Sequence, residues 1–234
     1  TKHGLQDRIL TKRKSIMNTP TKITVSRIIA IVVMIIALFV MSLIPEFVAP
    51  TYTFGNDGWA GFNLVYLILF AFFLIASYTD HLDGKLARKY NQVTSLGKFL
   101  DPVADKLLIN SMVIFLVLNW GFAPGQMTFS VWCAIILVAR DIVVDAIRFI
   151  AAEKGKCIAA NIFGKMKTVF EMIAISFVLL NDFPFGLLYG AGISGLRVTD
   201  FFVYIATAMS VISGVIYVVQ SRDVLKESPK EENE

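Results

Sequence analysis

Only two cysteines and two histidines occur among 234 residues. Cys133 lies in an apolar run and Cys157 in a basic loop, and their separation fits neither a disulfide framework nor a zinc site. Charge is also scarce, at 17% of the chain, against about 25% in an ordinary soluble domain. No glycine-rich P-loop, Ser/His/Asp set or dinucleotide fingerprint occurs. Those absences remove Walker-type nucleotide hydrolysis, triad hydrolysis and nicotinamide chemistry from the candidate functions. Two stretches, 45–58 and 119–128, hold no lysine or arginine at all.

Apolar residues are abundant instead, at 56%, with a mean hydropathy of +0.67. Such a chain has the bilayer as its solvent. The net charge of +4 does not point to nucleic acid, because the cations sit in short segments beside apolar runs rather than on one soluble face. From Ile23 the chain turns apolar, and 28–44 carries one polar residue, Ser42, so with its flanks it reaches the roughly 20 residues a span needs. Further spans are expected at 59–79, 99–119, 129–152, 166–181 and 199–219. The expected fold is therefore an all-α integral membrane protein of six transmembrane helices.

Orientation follows from the loop charges. The amino-terminal tail, the 85–98 and 153–167 segments and the carboxyl tail hold nearly all the Lys and Arg. The positive-inside rule then puts both termini, and everything beside the 85–98 segment, on the cytoplasmic face of the cell membrane. Residues 1–22 mix cations with Leu5, Ile9, Leu10, Ile16 and Met17, the pattern of an interfacial amphipathic segment; residues 1–16 read equally as an upstream extension. Residues 23–221 form one membrane domain, and 222–234 a solvated, disordered charged tail. Trp59, Tyr66, Trp120 and Tyr189 suit interface anchoring.

The chemistry concentrates between Asp80 and Asp105. Asp80 and Asp83 stand three apart, Asp101 and Asp105 four apart, so on helices each pair shares a face. Ionised groups at the ends of apolar segments are costly and are by default paired or metal-bound. Two facing carboxylate pairs make an oxygen cage suited to hard divalent ions. Read without further context, such pairs serve equally as helix caps or solvated faces. Gly84 and Ala87 leave room for a ligand near the backbone, Arg88 adds a cation suited to phosphate, and Gly97 opens the second helix.

The whole pattern, D-x-x-D-G-x-x-A-R-x8-G-x-x-x-D-x-x-x-D, resembles the signature of the CDP-alcohol phosphotransferase family at every fixed position. The resemblance implies a membrane enzyme that uses divalent metal, Mg²⁺ or Mn²⁺ and two ions, to displace CMP from a CDP-linked alcohol. It implies further that Asp80, Asp83, Asp101 and Asp105 hold the metal, that Asp105 is also the catalytic base, and that Gly84, Ala87, Arg88 and Gly97 line the CDP site. A homodimer is expected on the same ground. The rival outside the family is a divalent-cation transporter using the same carboxylates for permeation.

A second polar cluster lies on the fourth span, at Arg140, Asp141, Asp145 and Arg148. These groups either neutralise one another inside the bundle or, with Lys165 and Lys167, surround a dianionic acceptor. Ala139-Arg140-Asp141, Arg148, Gly164-Lys165-Met166-Lys167-Thr168 and the Asn18-x-Pro20-x-x-Ile23-Thr24-x-x-Arg27 approach resemble segments of the branch of that family that makes phosphatidylglycerophosphate. This narrower resemblance implies CDP-diacylglycerol and glycerol 3-phosphate as substrates, with Arg140, Arg148, Lys165 and Lys167 on the acceptor phosphate. The rival inside the family takes another acceptor, such as an inositol phosphate or the one that yields cardiolipin.

Overall fold

Apolar runs of this length fold as helices because hydrocarbon leaves the backbone no water to bond. The computed structural model describes residues 19–44, 47–54, 60–89, 95–121, 127–155, 162–185 and 197–222. Among them are six helices: α1 (Thr19–Ser42), α2 (Leu64–Lys89), α3 (Ser95–Val117), α4 (Val131–Glu153), α5 (Ile162–Leu179) and α6 (Val198–Gln220). Each overlaps one expected apolar span. The first starts at Thr19 rather than Ile23, so the last residues assigned to the interfacial segment are helical; the rest of that segment, and the tail from 223, lie outside the described residues.

The chain is helical as expected, but the stretch read as a loop at 45–58 carries strand at its far side and beyond. β1 (Thr51–Phe54) and β2 (Ala60–Asn63) form an antiparallel hairpin, with Thr51 opposite Asn63 and Phe54 opposite Ala60. Thr-Tyr-Thr-Phe is β-branched and aromatic, which favours a pleated strand. The hairpin also delays the second helix from 59 to Leu64. There the Leu64 N–H donates to the Pro50 carbonyl at 2.9 Å, and Asn63 Oδ1 accepts from the Val65 N–H at 3.0 Å, a side-chain cap on the new helix.

Among the described residues two helices, Thr21–Ser42 and Val198–Gln220, are long and apolar enough to cross a membrane. At 22 residues and about 1.5 Å per residue, the first measures about 33 Å, close to the hydrocarbon thickness. On α1, Ile29, Val33, Ile36, Phe39 and Val40 are each at least 50% exposed. So broad an uncovered apolar face on one helix suits a hydrocarbon solvent.

The packing divides into two compact units, Thr1–Ile44 with Ala71–Ser111 and Pro45–Phe70 with Met112–Glu234. In the first, Ile31, Leu38, Phe73, Ala76, Ala104 and Leu108 are buried. In the second, α6 packs on both α5 and α4, over a core that includes Leu137, Ile175, Val178 and Val203. Tyr66 belongs to this core at 1% exposure, its ring 5.6 Å from that of Phe115, instead of anchoring at an interface. Trp120 stacks on the same Phe115 at 5.2 Å; Trp59 and Tyr189 lie outside the described residues.

Two adjacent residues tie the second unit together beyond α5. Asn181 and Asp182 take left-handed φ values of 53° and 62°, a conformation that Asn and Asp tolerate best among residues other than glycine. Asn181 donates to the Gly61 carbonyl at 3.2 Å and accepts from the Met127 N–H at 3.1 Å. The buried Asp182 accepts from the Thr199 N–H at 3.1 Å and the Thr199 hydroxyl at 2.6 Å. At the same start of α6 the Arg197 N–H donates to Asp200 at 3.2 Å, an acidic first turn that complements the helix dipole.

Candidate active site

Asp80 and Asp83 occupy the last turns of α2, and Asp101 and Asp105 the first half of α3. Pro102 takes one backbone donor out of α3 between its two aspartates. Donors come from the buried face of α1, where Thr24 and Arg27 stand three residues apart at 1% and 5% exposure. Arg27 Nη1 lies 2.5 Å from Asp80 Oδ1, and Thr24 Oγ1 donates to Asp101 Oδ1 at 2.9 Å. One helix therefore reaches an aspartate on each of the other two. The Arg27 side chain is 3% exposed and that of Asp80 38%, so the pair compensates a cation that burial alone would strongly disfavour.

Asp105 is half-buried, and Gly97 is buried near the start of α3. Gly84, Ala87 and Arg88 lie on the final turns of α2, but their side chains, like that of Asp83, are outside the described set. Among the described residues no three acidic, histidine or cysteine side chains converge to hold a metal. The donor chemistry nonetheless suits a hard divalent cation: Asp80, Asp101 and Asp105 offer carboxylate oxygens, with the Thr24 hydroxyl bonded to one of them.

The second cluster is built from α4, α5 and α6. Lys167 is 2% exposed, and its Nζ lies 2.9 and 3.0 Å from the two Asp141 oxygens and 2.7 Å from Glu171 Oε2. Arg140 Nη1 meets Asp141 Oδ1 at 3.1 Å, and its Nη2 donates to Ser213. Arg140, Lys167, Asp141 and Glu171 thus form a neutral set of two cations and two carboxylates, which is how such charges become tolerable inside a bundle. Arg148 is exposed and donates to the Tyr217 hydroxyl at 2.5 Å. Lys165 is exposed as well.

A family profile described as CDP-alcohol phosphatidyltransferase matches residues 17–215. The chain belongs to that family. Among curated proteins, this CDP-alcohol phosphatidyltransferase is 36% identical over 211 residues to the CDP-diacylglycerol–glycerol-3-phosphate 3-phosphatidyltransferase of Bacillus subtilis, covering 90% of this chain and 98% of that one. It is 30% identical over 200 residues to the protein of the same name from Rickettsia felis, covering 86% and 93%. A third protein of that name, from Mycoplasma pneumoniae, is 39% identical over 160 residues, with 66% of each chain covered.

The expected acceptor cations of this CDP-alcohol phosphatidyltransferase sort into two kinds. Lys167 and Arg140 are engaged with carboxylates inside the bundle, whereas Arg148 and Lys165 stand at exposed positions. Glu171, four residues after Lys167, is one of its partners. Ser213 and Tyr217 carried no readable signal, because a hydroxyl and a ring in an apolar run look like packing. Their four-residue spacing on α6 was the one available hint.

Proposed function

We infer that this chain transfers the phosphatidyl group from CDP-diacylglycerol to glycerol 3-phosphate, giving phosphatidylglycerophosphate and CMP in phospholipid biosynthesis. The observation that carries this reading is similarity across 98% of the Bacillus subtilis transferase, joined to the unbroken aspartate motif from Asp80 to Asp105. We take residues 23–221 to be a six-span domain with both termini cytoplasmic, its active site facing the cytoplasm of the cell membrane, and the working unit to be a homodimer.

In this reading Asp80, Asp83, Asp101 and Asp105 hold two divalent ions, Mg²⁺ or Mn²⁺. Bound there, they would supply Lewis-acid neutralisation of the pyrophosphate and of the departing CMP. The chain's own groups do the rest. Thr24 and Arg27 orient Asp101 and Asp80. Gly84, Ala87, Arg88 and Gly97 receive the cytidine diphosphate, with Arg88 presenting planar donors to phosphate oxygens. The acceptor hydroxyl attacks the phosphorus bearing diacylglycerol, its proton passes to Asp105, and the bond from that phosphorus to the CMP oxygen breaks. Arg148 and Lys165 bind the acceptor's own phosphate, while Arg140 and Lys167 hold the framework that carries it.

The test is CMP release by the purified protein with CDP-diacylglycerol and a panel of acceptors. Turnover confined to glycerol 3-phosphate is expected. Preference for an inositol phosphate or phosphatidylglycerol would move the chain to another branch of the family, and cation flux into vesicles without CMP release would make it a transporter.

A further inference from the structure

We propose that Tyr217 is a positioning residue for the acceptor, fixing the guanidinium of Arg148 and backing that of Arg140, and that Ser213 completes the same cradle. The inference rests on the reading above in which Arg148 contacts the acceptor phosphate.

Tyr217 is 1% exposed and Ser213 0%, and four residues on α6 put them on one face. The Tyr217 hydroxyl accepts from Arg148 Nη2 at 2.5 Å. Its ring centroid lies 5.0 Å from the Arg148 guanidinium carbon and 5.8 Å from that of Arg140, so one ring serves two cations of α4. Ser213 accepts from Arg140 Nη2, while Asp141 accepts from Nη1.

The helices come close enough for this because two positions carry no side chain. A Cβ at Gly214 would stand 3.2 Å from Arg140 Cγ, and one at Gly164 would stand 3.3 Å from Ser213 Oγ and 3.4 Å from Arg140 Nη2. The cradle is thus packed from α5 and α6 together, with the arginine stems laid across it.

The chemistry of the cradle separates the two arginines. Arg140 meets a carboxylate as well as the serine, and that carboxylate offsets its charge. The contact from Arg148 to Tyr217 is with a neutral hydroxyl and a ring face, which restrain the guanidinium without cancelling its charge. An exposed arginine samples many rotamers and gives up that freedom when it is held in one. Holding it beforehand on a rigid ring removes that loss from the binding step. A dianionic acceptor phosphate would therefore meet a donor fork already aimed.

The experiment compares Tyr217→Phe, Tyr217→Leu and Ser213→Ala with Arg148→Ala in the full-length protein in mixed micelles. For each, KM is measured for glycerol 3-phosphate and for CDP-diacylglycerol. Tyr217→Phe keeps the ring and should raise KM for glycerol 3-phosphate about 5- to 10-fold, and Tyr217→Leu about 30-fold, from loss of the hydroxyl and then of the ring. KM for CDP-diacylglycerol should stay within about twofold, and in an Arg148→Ala background Tyr217→Phe should add nothing, because the two act through one contact.

If Arg148→Ala raises KM for glycerol 3-phosphate but neither Tyr217 variant does, the positioning role is overturned and the acceptor reading survives. If Arg148→Ala itself leaves that KM unchanged, both fall. Equal loss toward both substrates in Tyr217→Phe, which preserves the packed volume, would make Tyr217 a packing residue only. Tyr217→Phe, which keeps the packed volume, carries the comparison alone should Tyr217→Leu fail to fold.

Discussion

The Thr24 hydroxyl donates to Asp101 at 2.9 Å, joining residues 77 apart in the chain. A hydroxyl in this position leaves the charge of the carboxylate unchanged and sets its direction. Partners of that kind typically govern metal affinity by about 10- to 100-fold. Thr24→Val should raise the Mg²⁺ or Mn²⁺ concentration for half-maximal CMP release by that order, with activity recovered at saturating metal. Direct Mn²⁺ binding by electron paramagnetic resonance should weaken in parallel; unchanged binding would remove Thr24 from the site.

Chelation provides a coarser check on the same helices. Excess chelator should abolish CMP release and added Mg²⁺ or Mn²⁺ should restore it, whereas Asp101→Asn should leave a membrane-inserted protein that is nearly inactive. Full turnover in chelator would defeat the assignment of metal to Asp80, Asp83, Asp101 and Asp105.

Lysines two residues apart should behave differently. Lys167→Ala removes the cation that Asp141 and Glu171 share in the bundle, a loss of about 3 to 5 kcal/mol when one partner of a buried set is removed. It should therefore lower the thermal midpoint in detergent. Lys165→Ala, at an exposed position, should leave the midpoint alone and raise KM for glycerol 3-phosphate about 30- to 1,000-fold, the range for removing a charged phosphate donor. Reversed results would exchange their roles.

The loop-charge asymmetry gives a topological expectation. In a cysteine-free background, Asn91→Cys should react with an impermeant maleimide only from the cytoplasmic side, and Gly125→Cys only from outside. The opposite pattern would invert the proposed orientation.

Much of the helical framework was legible because long apolar runs have few alternatives. The starts of α3, α4, α5 and α6 fall within a few residues of the expected spans. The hairpin was not: its strands are four residues each, and Pro50, Asn56, Asp57 and Gly58 made the whole stretch read as loop. The aspartate motif was legible as spacing, but its donors on α1 were not, since nothing local pairs Thr24 with Asp101 or Arg27 with Asp80. The pairing of Lys167 with Glu171 follows from a helical interval of four, whereas its bond to Asp141 crosses from α5 to α4. Tyr66 was misread because an aromatic near the end of an apolar run looks alike whether it faces lipid headgroups or Phe115.

The neutral quartet limits how this enzyme could be given a different acceptor. Lys167 is shared by two carboxylates, and one of them also serves Arg140. A charge-changing substitution at Lys167 or Asp141 therefore upsets two partners at once. Directed evolution toward an uncharged alcohol would be channelled to the rim, at Arg148 and Lys165, where a cation can be lost without leaving a buried carboxylate behind. Libraries confined to those two positions should yield folded variants far more often than libraries that include Asp141 or Glu171.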